Sequence, residues 1–231
     1  MAGRASGQCP AQSRALLAFI FLGLPLALAV IIYLAIAWWH SRESSFLLGS
    51  LPRSNVRELS IEEMERTLSE IVVPIGNQPK NWAGSAVAIQ PRRLLSVCHA
   101  GKDGMVTLVQ GQFVRLRLRA ERLAADECLF ETDRRLPRVV PGVRTISSLI
   151  SHEPLYVFGY PSGAPTLSPG VFNNFTLDDS GRLVIRTTAR VASGDSGGGL
   201  FDRFGNLIGI VRARYGDKAS FAVPVEDWWE K

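Results

Sequence analysis

Five consecutive residues, Gly194-Asp195-Ser196-Gly197-Gly198, carry the most specific chemistry in this sequence. A serine becomes a nucleophile when its Oγ is accessible, a base stands beside it and backbone N–H groups face the charge that develops on the substrate. Glycines on both sides let the main chain turn tightly and approach a substrate closely. The same composition also makes a glycine-rich turn, so the base must be found before the serine means anything.

Only three histidines are available: His40, His99 and His152. His40 borders a long apolar stretch, and His152 sits in the polar run Ser151-His152-Glu153-Pro154. His99 follows the apolar Leu94-Leu95-Ser96-Val97-Cys98 and precedes Ala100-Gly101. That pattern puts it at a strand end opening into a loop, where a side chain is both rigid and accessible. The carboxylate that orients such a base is largely buried. Asp126 stands at the mouth of the apolar Cys128-Leu129-Phe130, whereas Asp103 and Asp133 lie in polar turns. Asp126 is therefore the candidate.

The order His99, Asp126, Ser196 resembles that of the trypsin-like serine peptidases. Gly84-Ser85-Ala86 resembles the family's Gly-Ser-Gly strand, Leu95-Ser96-Val97-Cys98-His99-Ala100 its histidine block, and Asp126-Glu127-Cys128-Leu129-Phe130 its aspartate block. Tyr156-Val157-Phe158-Gly159-Tyr160-Pro161 and Phe221-Ala222-Val223-Pro224 look like the short bacterial HtrA (Deg) group. The resemblance spans residues 82–225 and implies an all-β fold of two six-stranded antiparallel barrels with the site between them. It implies roles as well. His99 takes the Ser196 proton, Asp126 fixes the imidazole, and the N–H groups of Gly194 and Ser196 form the oxyanion hole. The substrate is then a protein or peptide, and neither a metal nor a cofactor is needed.

Departures from the family are informative. No PDZ domain is expected after the last strand. The segments that resemble the walls of the primary specificity pocket hold Arg190 and Val191, then Arg212, Ala213 and Arg214. These arginines either select an acidic substrate side chain by two-pronged pairing or point to solvent. Arg212 also falls where many relatives place a Ser or Thr that supports the catalytic Asp. Cys98 and Cys128 flank His99 and Asp126, so a triad brings them close. They are then a disulfide in an oxidising compartment or two buried thiols that pack as small hydrophobes. A catalytically silent binding module on the same fold is the alternative to a peptidase.

These residues need elements to position them. Short β-like runs at 85–89, 93–97, 105–109, 113–119, 127–131, 154–158, 170–176, 183–187, 199–201, 207–212 and 220–223 are separated by turn residues, the pattern of an antiparallel barrel or sandwich. Val114, Leu116 and Leu118 alternate with Arg115, Arg117 and Arg119, so that strand has one wet face. Asp178-Asp179-Ser180-Gly181 and the run from Asp202 to Asn206 read as hairpin turns. Upstream, Ser60 and Glu63 form a capping box. Ile61, Met64, Leu68 and Ile71 then recur at helical spacing, predicting a short amphipathic helix over 61–70 that packs on the following domain.

Residues 15–39 contain no charge and end on Trp38 and Trp39. About 20 apolar residues cross a bilayer, and a signal peptide's apolar core is shorter, about 7–15 residues. The expectation is one uncleaved transmembrane helix over 15–39 after a cytoplasmic segment 1–14. A linker with the amphipathic helix covers 40–70, and a peptidase domain covers 71–231, its barrels dividing near residue 140. The arginines on the two sides of the span do not decide its orientation. The peptidase resemblance favours an inner-membrane protein with a periplasmic catalytic domain. The net charge of +5 is mild, and no nucleic-acid-binding motif is present. Three cysteines with no Cys-x-x-Cys pair make neither a disulfide scaffold nor a zinc site.

Overall fold

A computed structural model describes residues 28–34, 48–215 and 219–229, without the side chains of residues 124, 213–215 and 219. The chain divides into two units, Met1–Leu47 and Leu48–Lys231. In the first, residues 28–34 are helical, and Leu28, Val30, Ile31, Ile32, Tyr33 and Leu34 are all exposed. The rest of the expected span over 15–39 lies outside the described residues. Among the described residues no helix is long and apolar enough to cross a membrane.

The second unit begins its regular structure with helix α1, Ile61–Ile71. Ser60 Oγ accepts from the Glu63 N–H, and the Glu63 carboxylate accepts from the Ser60 N–H, so the capping box forms in full. Met64, Leu68 and Ile71 are buried in the main core, while Ile61 stays half exposed. The helix therefore packs on the domain through its C-terminal two turns.

Twelve strands follow among the described residues. The first six are β1 (Val72–Gln78), β2 (Asn81–Gln90), β3 (Arg93–Val97), β4 (Val106–Val109), β5 (Gln112–Arg122) and β6 (Glu127–Thr132). The second six are β7 (Pro154–Gly159), β8 (Thr166–Leu177), β9 (Leu183–Thr187), β10 (Gly199–Asp202), β11 (Leu207–Tyr215) and β12 (Ala219–Pro224). Each set closes into a six-stranded antiparallel barrel, in the orders β1-β2-β3-β6-β5-β4 and β7-β8-β9-β12-β11-β10. The same strand order thus occurs twice in a sequence that has no visible repeat.

Strand β1 has no counterpart among the expected runs. Helix α1 passes into it at Val72 without a turn, and Pro74 interrupts its pattern, so nothing in the local sequence punctuates the change. Thr107 Oγ bonds the Pro74 carbonyl, and β1 pairs with both β2 and β4.

Closing the barrels buries the alternating apolar residues. One cluster fills the first barrel and continues through Phe158, Phe201, Ile210 and Trp228. A smaller one, with Leu155, Phe172, Ile185 and Leu200, fills the second barrel.

Candidate active site

His99 leaves the end of β3, and Asp126 immediately precedes β6, the strand paired with β3. Pairing Val97 with Glu127 brings the two residues together. Asp126 adopts a left-handed backbone, φ +56°, a conformation Asp tolerates better than most residues. It lets both carboxylate oxygens engage His99. Oδ1 accepts from the His99 backbone N–H at 3.0 Å, and Oδ2 meets Nδ1 at 2.6 Å. The imidazole is half exposed, whereas the carboxylate side chain is 15% exposed. Burial alone would raise the Asp126 pKa. The hydrogen bonds from the His99 ring and N–H, with the charges of His99 and Arg212, outweigh it and hold the carboxyl below its ordinary value. A disulfide between Cys98 and Cys128 links the residue before His99 to β6.

Ser196 comes from the loop before β10. Its carbonyl accepts from the Ser85 N–H of β2 at 2.8 Å, which ties the Ser196 loop of one barrel to a strand of the other. Ser85 is fully buried and works at three more points. Its Oγ donates to the Gly194 carbonyl at 2.7 Å and accepts from the Tyr160 N–H at 2.9 Å. Its carbonyl accepts from Ser96 Oγ at 2.7 Å. Gly197 has φ +85°, and a Cβ there would strike the Ser85 carbonyl and Ser96 Oγ. Asp195 is buried, with Oδ2 accepting from the Ala192 N–H at 2.7 Å; burial pushes its pKa up against that bond.

The loop also orients two amides. The Ser193 carbonyl accepts from the Ser162 N–H at 3.2 Å. In a trans peptide the C=O and N–H point in opposite directions. The Gly194 N–H therefore points away from the turn that holds Ser162, and the chain leaves Gly194 with φ +104°. Among the described residues, the N–H groups of Gly194 and Ser196 donate to no protein acceptor. Ser196 Oγ donates to the Arg212 carbonyl at 3.4 Å, and no hydrogen bond joins it to His99. Such bonds are often long without substrate and tighten when it binds.

Arg212 meets Asp126, at the position where the resemblance placed a residue that supports the catalytic Asp. It is the extra residue of a β-bulge in β11, between Val211 and Ala213. A bulge re-aims a side chain, and this one turns to the Asp126 and Asp178 carboxylates. Arg190 is exposed and Val191 half-buried against the second core. The side chains of Ala213 and Arg214 lie outside the described residues. His152 is exposed beside Ser151, and His40 lies outside the described residues. Asp178 was legible only as a turn residue. Nothing local to Asp178 or Arg212 signals that the β8–β9 turn reaches β11. Among the described residues no group of His, Cys, Asp and Glu could hold a metal.

Residues 84–210 match the family model of the trypsin-like peptidase domain, more than half of the 231-residue chain. The protein belongs to this family of serine endopeptidases. No curated protein matches its sequence. Among solved structures, the Rv3671c protease from M. tuberculosis in its active form is similar with a TM-score of 0.61 and 20% identity, over 79% of this chain and 86% of that one. The inactive form of the Rv3671c protease gives 0.61 and 19%, over 76% and 94%. The HtrA-type protease AlgW with a decapeptide gives 0.65 and 20%, over 74% of this chain and 65% of that one. At these identities the likeness establishes the two-barrel fold.

Proposed function

We propose that this peptidase works by a Ser196-His99-Asp126 triad while anchored in a membrane. His99 takes the Ser196 proton as Oγ attacks the scissile carbonyl, and then delivers it to the leaving amine. Asp126 keeps Nδ1 protonated and favours the imidazolium that forms. The amides of Gly194 and Ser196 receive the oxyanion. Water then cleaves the acyl-enzyme by the same proton path. The observation that carries this reading is the 2.6 Å contact of His99 Nδ1 with Asp126 Oδ2. It comes with the amides of Gly194 and Ser196, which among the described residues donate to no protein acceptor.

The anchor is the uncharged stretch over 15–39. The helical residues 28–34, with their exposed apolar side chains, support it. The catalytic unit then lies on the extracytoplasmic side, and its substrate is a protein or peptide near that surface. Arg190 stays a candidate for reading an acidic side chain. Detergent-solubilised full-length protein treated with a fluorophosphonate tests the triad. Labelling lost in Ser196→Ala and strongly slowed in His99→Ala supports it. Labelling that survives Ser196→Ala overturns it. Extraction of the chain from membranes by alkaline carbonate would overturn the anchor.

A further inference from the structure

Arg212 places a cation on the carboxylate that orients the base. Its Nε donates to Asp126 Oδ2 at 3.3 Å, the same oxygen that meets His99 Nδ1. Its Nη1 donates to Asp178 Oδ2. Asp178 belongs to the β8–β9 turn and is itself gripped by Arg182, from Nε at 2.9 Å and Nη2 at 2.7 Å. Its Oδ1 caps the turn by accepting from the N–H groups of Ser180 and Arg182. All three side chains are mostly buried, at 24% exposed for Arg212, 15% for Asp126 and 16% for Asp178.

We propose that Arg212 and Asp178 are positioning residues for the active site: the β8–β9 turn of the second barrel holds the Arg212 guanidinium against Asp126 of the first. Through that contact the second barrel sets both the place and the charge of the carboxylate on which His99 turns. This rests on the triad reading above.

The charge pattern makes the proposal specific. A cation on Asp126 alone would weaken the support that the carboxylate gives to the imidazolium of His99. Asp178 offsets that cation. Burial would raise the Asp178 pKa, but the bonds from Arg182, Arg212 and the Ser180 N–H outweigh it and keep the carboxyl far below its ordinary range. The charged groups around the pair are thus Arg212 from β11 and Asp178 and Arg182 from the β8–β9 turn. Glu127 and Arg122, from β6 and β5, lie next along the chain toward the C-terminal turn.

The two residues therefore act with opposite sign. Removing the Arg212 charge makes the imidazolium easier to form. The acid limb of a pH-rate profile then moves to higher pH. Removing the Asp178 charge leaves Arg212 uncompensated, and the limb moves to lower pH. A merely structural role lowers the rate or the melting temperature in both variants without opposite shifts.

The test uses the full-length protein and the pH dependence of its second-order labelling rate with a fluorophosphonate. Arg212→Gln should raise the midpoint of the acid limb by about one pH unit, and Asp178→Asn should lower it by about half a unit. Arg212→Lys keeps the charge and should leave the midpoint near that of the parent protein while slowing labelling. It serves as the reference if Arg212→Gln does not fold. Midpoints unmoved in Arg212→Gln and Asp178→Asn, or moved in the same direction, overturn the proposal. A parent protein that is not labelled at Ser196 instead overturns the triad itself.

Discussion

The two barrels share one strand order, yet they hold their halves of the site by different means. The first fixes His99 and Asp126 by strand pairing of β3 with β6 and by the Cys98–Cys128 disulfide beside them. The second presents Ser196 on a loop with no covalent tie, positioned by glycine conformations and by hydrogen bonds that reach across to Ser85. In the proposed triad, the base and its carboxylate need a fixed tautomer and distance. The proposed nucleophile needs amides aimed at empty space. A rigid staple suits the first task, while the second depends on backbone angles that few residues adopt. Damage to the second barrel should therefore fall on catalysis, and damage to the first on stability.

The sharpest break is Gly197→Ala. Its φ is +85°, and the new Cβ would meet backbone and side-chain atoms of buried Ser85 and Ser96 that have no room to yield. The loop must move, and the Ser196 amide moves with it. The expected loss in labelling rate is about a hundredfold or more, the scale of losing one oxyanion donor. Retained labelling with unchanged circular dichroism would show that the loop tolerates another path.

Replacing both cysteines by alanine tests the first barrel. The bridge closes a sequence separation of 30 residues, and loop entropy alone gives about 3–4 kcal/mol. Thermal unfolding of the double variant should start about 10 °C lower. Labelling by the folded fraction should fall far less than in Gly197→Ala. An unchanged melting temperature would remove the staple from the account. The sequence allowed this pairing only as one of two options, because three cysteines do not dictate a bond. The register of Val97 with Glu127 is what brings the two sulfurs together.

Ser85→Ala cuts the tie between the barrels. It leaves the Tyr160 N–H and the Gly194 carbonyl without their partner, at a cost of about 2 kcal/mol for buried groups left unpaired. Labelling should drop about tenfold, between the other two variants, with only a few degrees lost in melting temperature. A loss in melting temperature as large as that of the cysteine variant would make Ser85 a core residue rather than a link. The sequence exposed Ser85 only as part of a motif. Of its four contacts, one comes from β3, one from the residue after β7 and two from the loop before β10, which no local pattern relates. Most of the strands, and the short blocks around His99, Asp126 and Ser196, were readable because each is carried by neighbouring residues. The bulge at Arg212 and its partner in the β8–β9 turn were not, since they depend on how distant segments meet.

The smallest effect compares one buried carboxylate from each barrel. Asp202 in β10 accepts from the N–H groups of Phe204 and Asn206 and from the Asn206 side chain, and Arg144 lies 3.7 Å away. Glu127 in β6 is as deeply buried, but its Oε1 has no hydrogen-bond partner among the described residues, and Arg122 stands 3.9 Å away. Burial therefore pushes its pKa up to about 7, with Arg122 and the nearby Trp228 indole pulling only partly the other way. A carboxyl whose folded pKa exceeds its unfolded value binds protons more tightly when folded. Its contribution to stability is thus present below the unfolded pKa, near 4.5, and is lost as pH rises toward about 7. Glu127→Gln removes that dependence. Between pH 5 and pH 8 the melting temperature of the parent should fall relative to the variant by about 5 °C. Burial raises the Asp202 pKa as well, against its own hydrogen bonds, and parallel melting curves across that range would mean that Glu127 stays ionised throughout it.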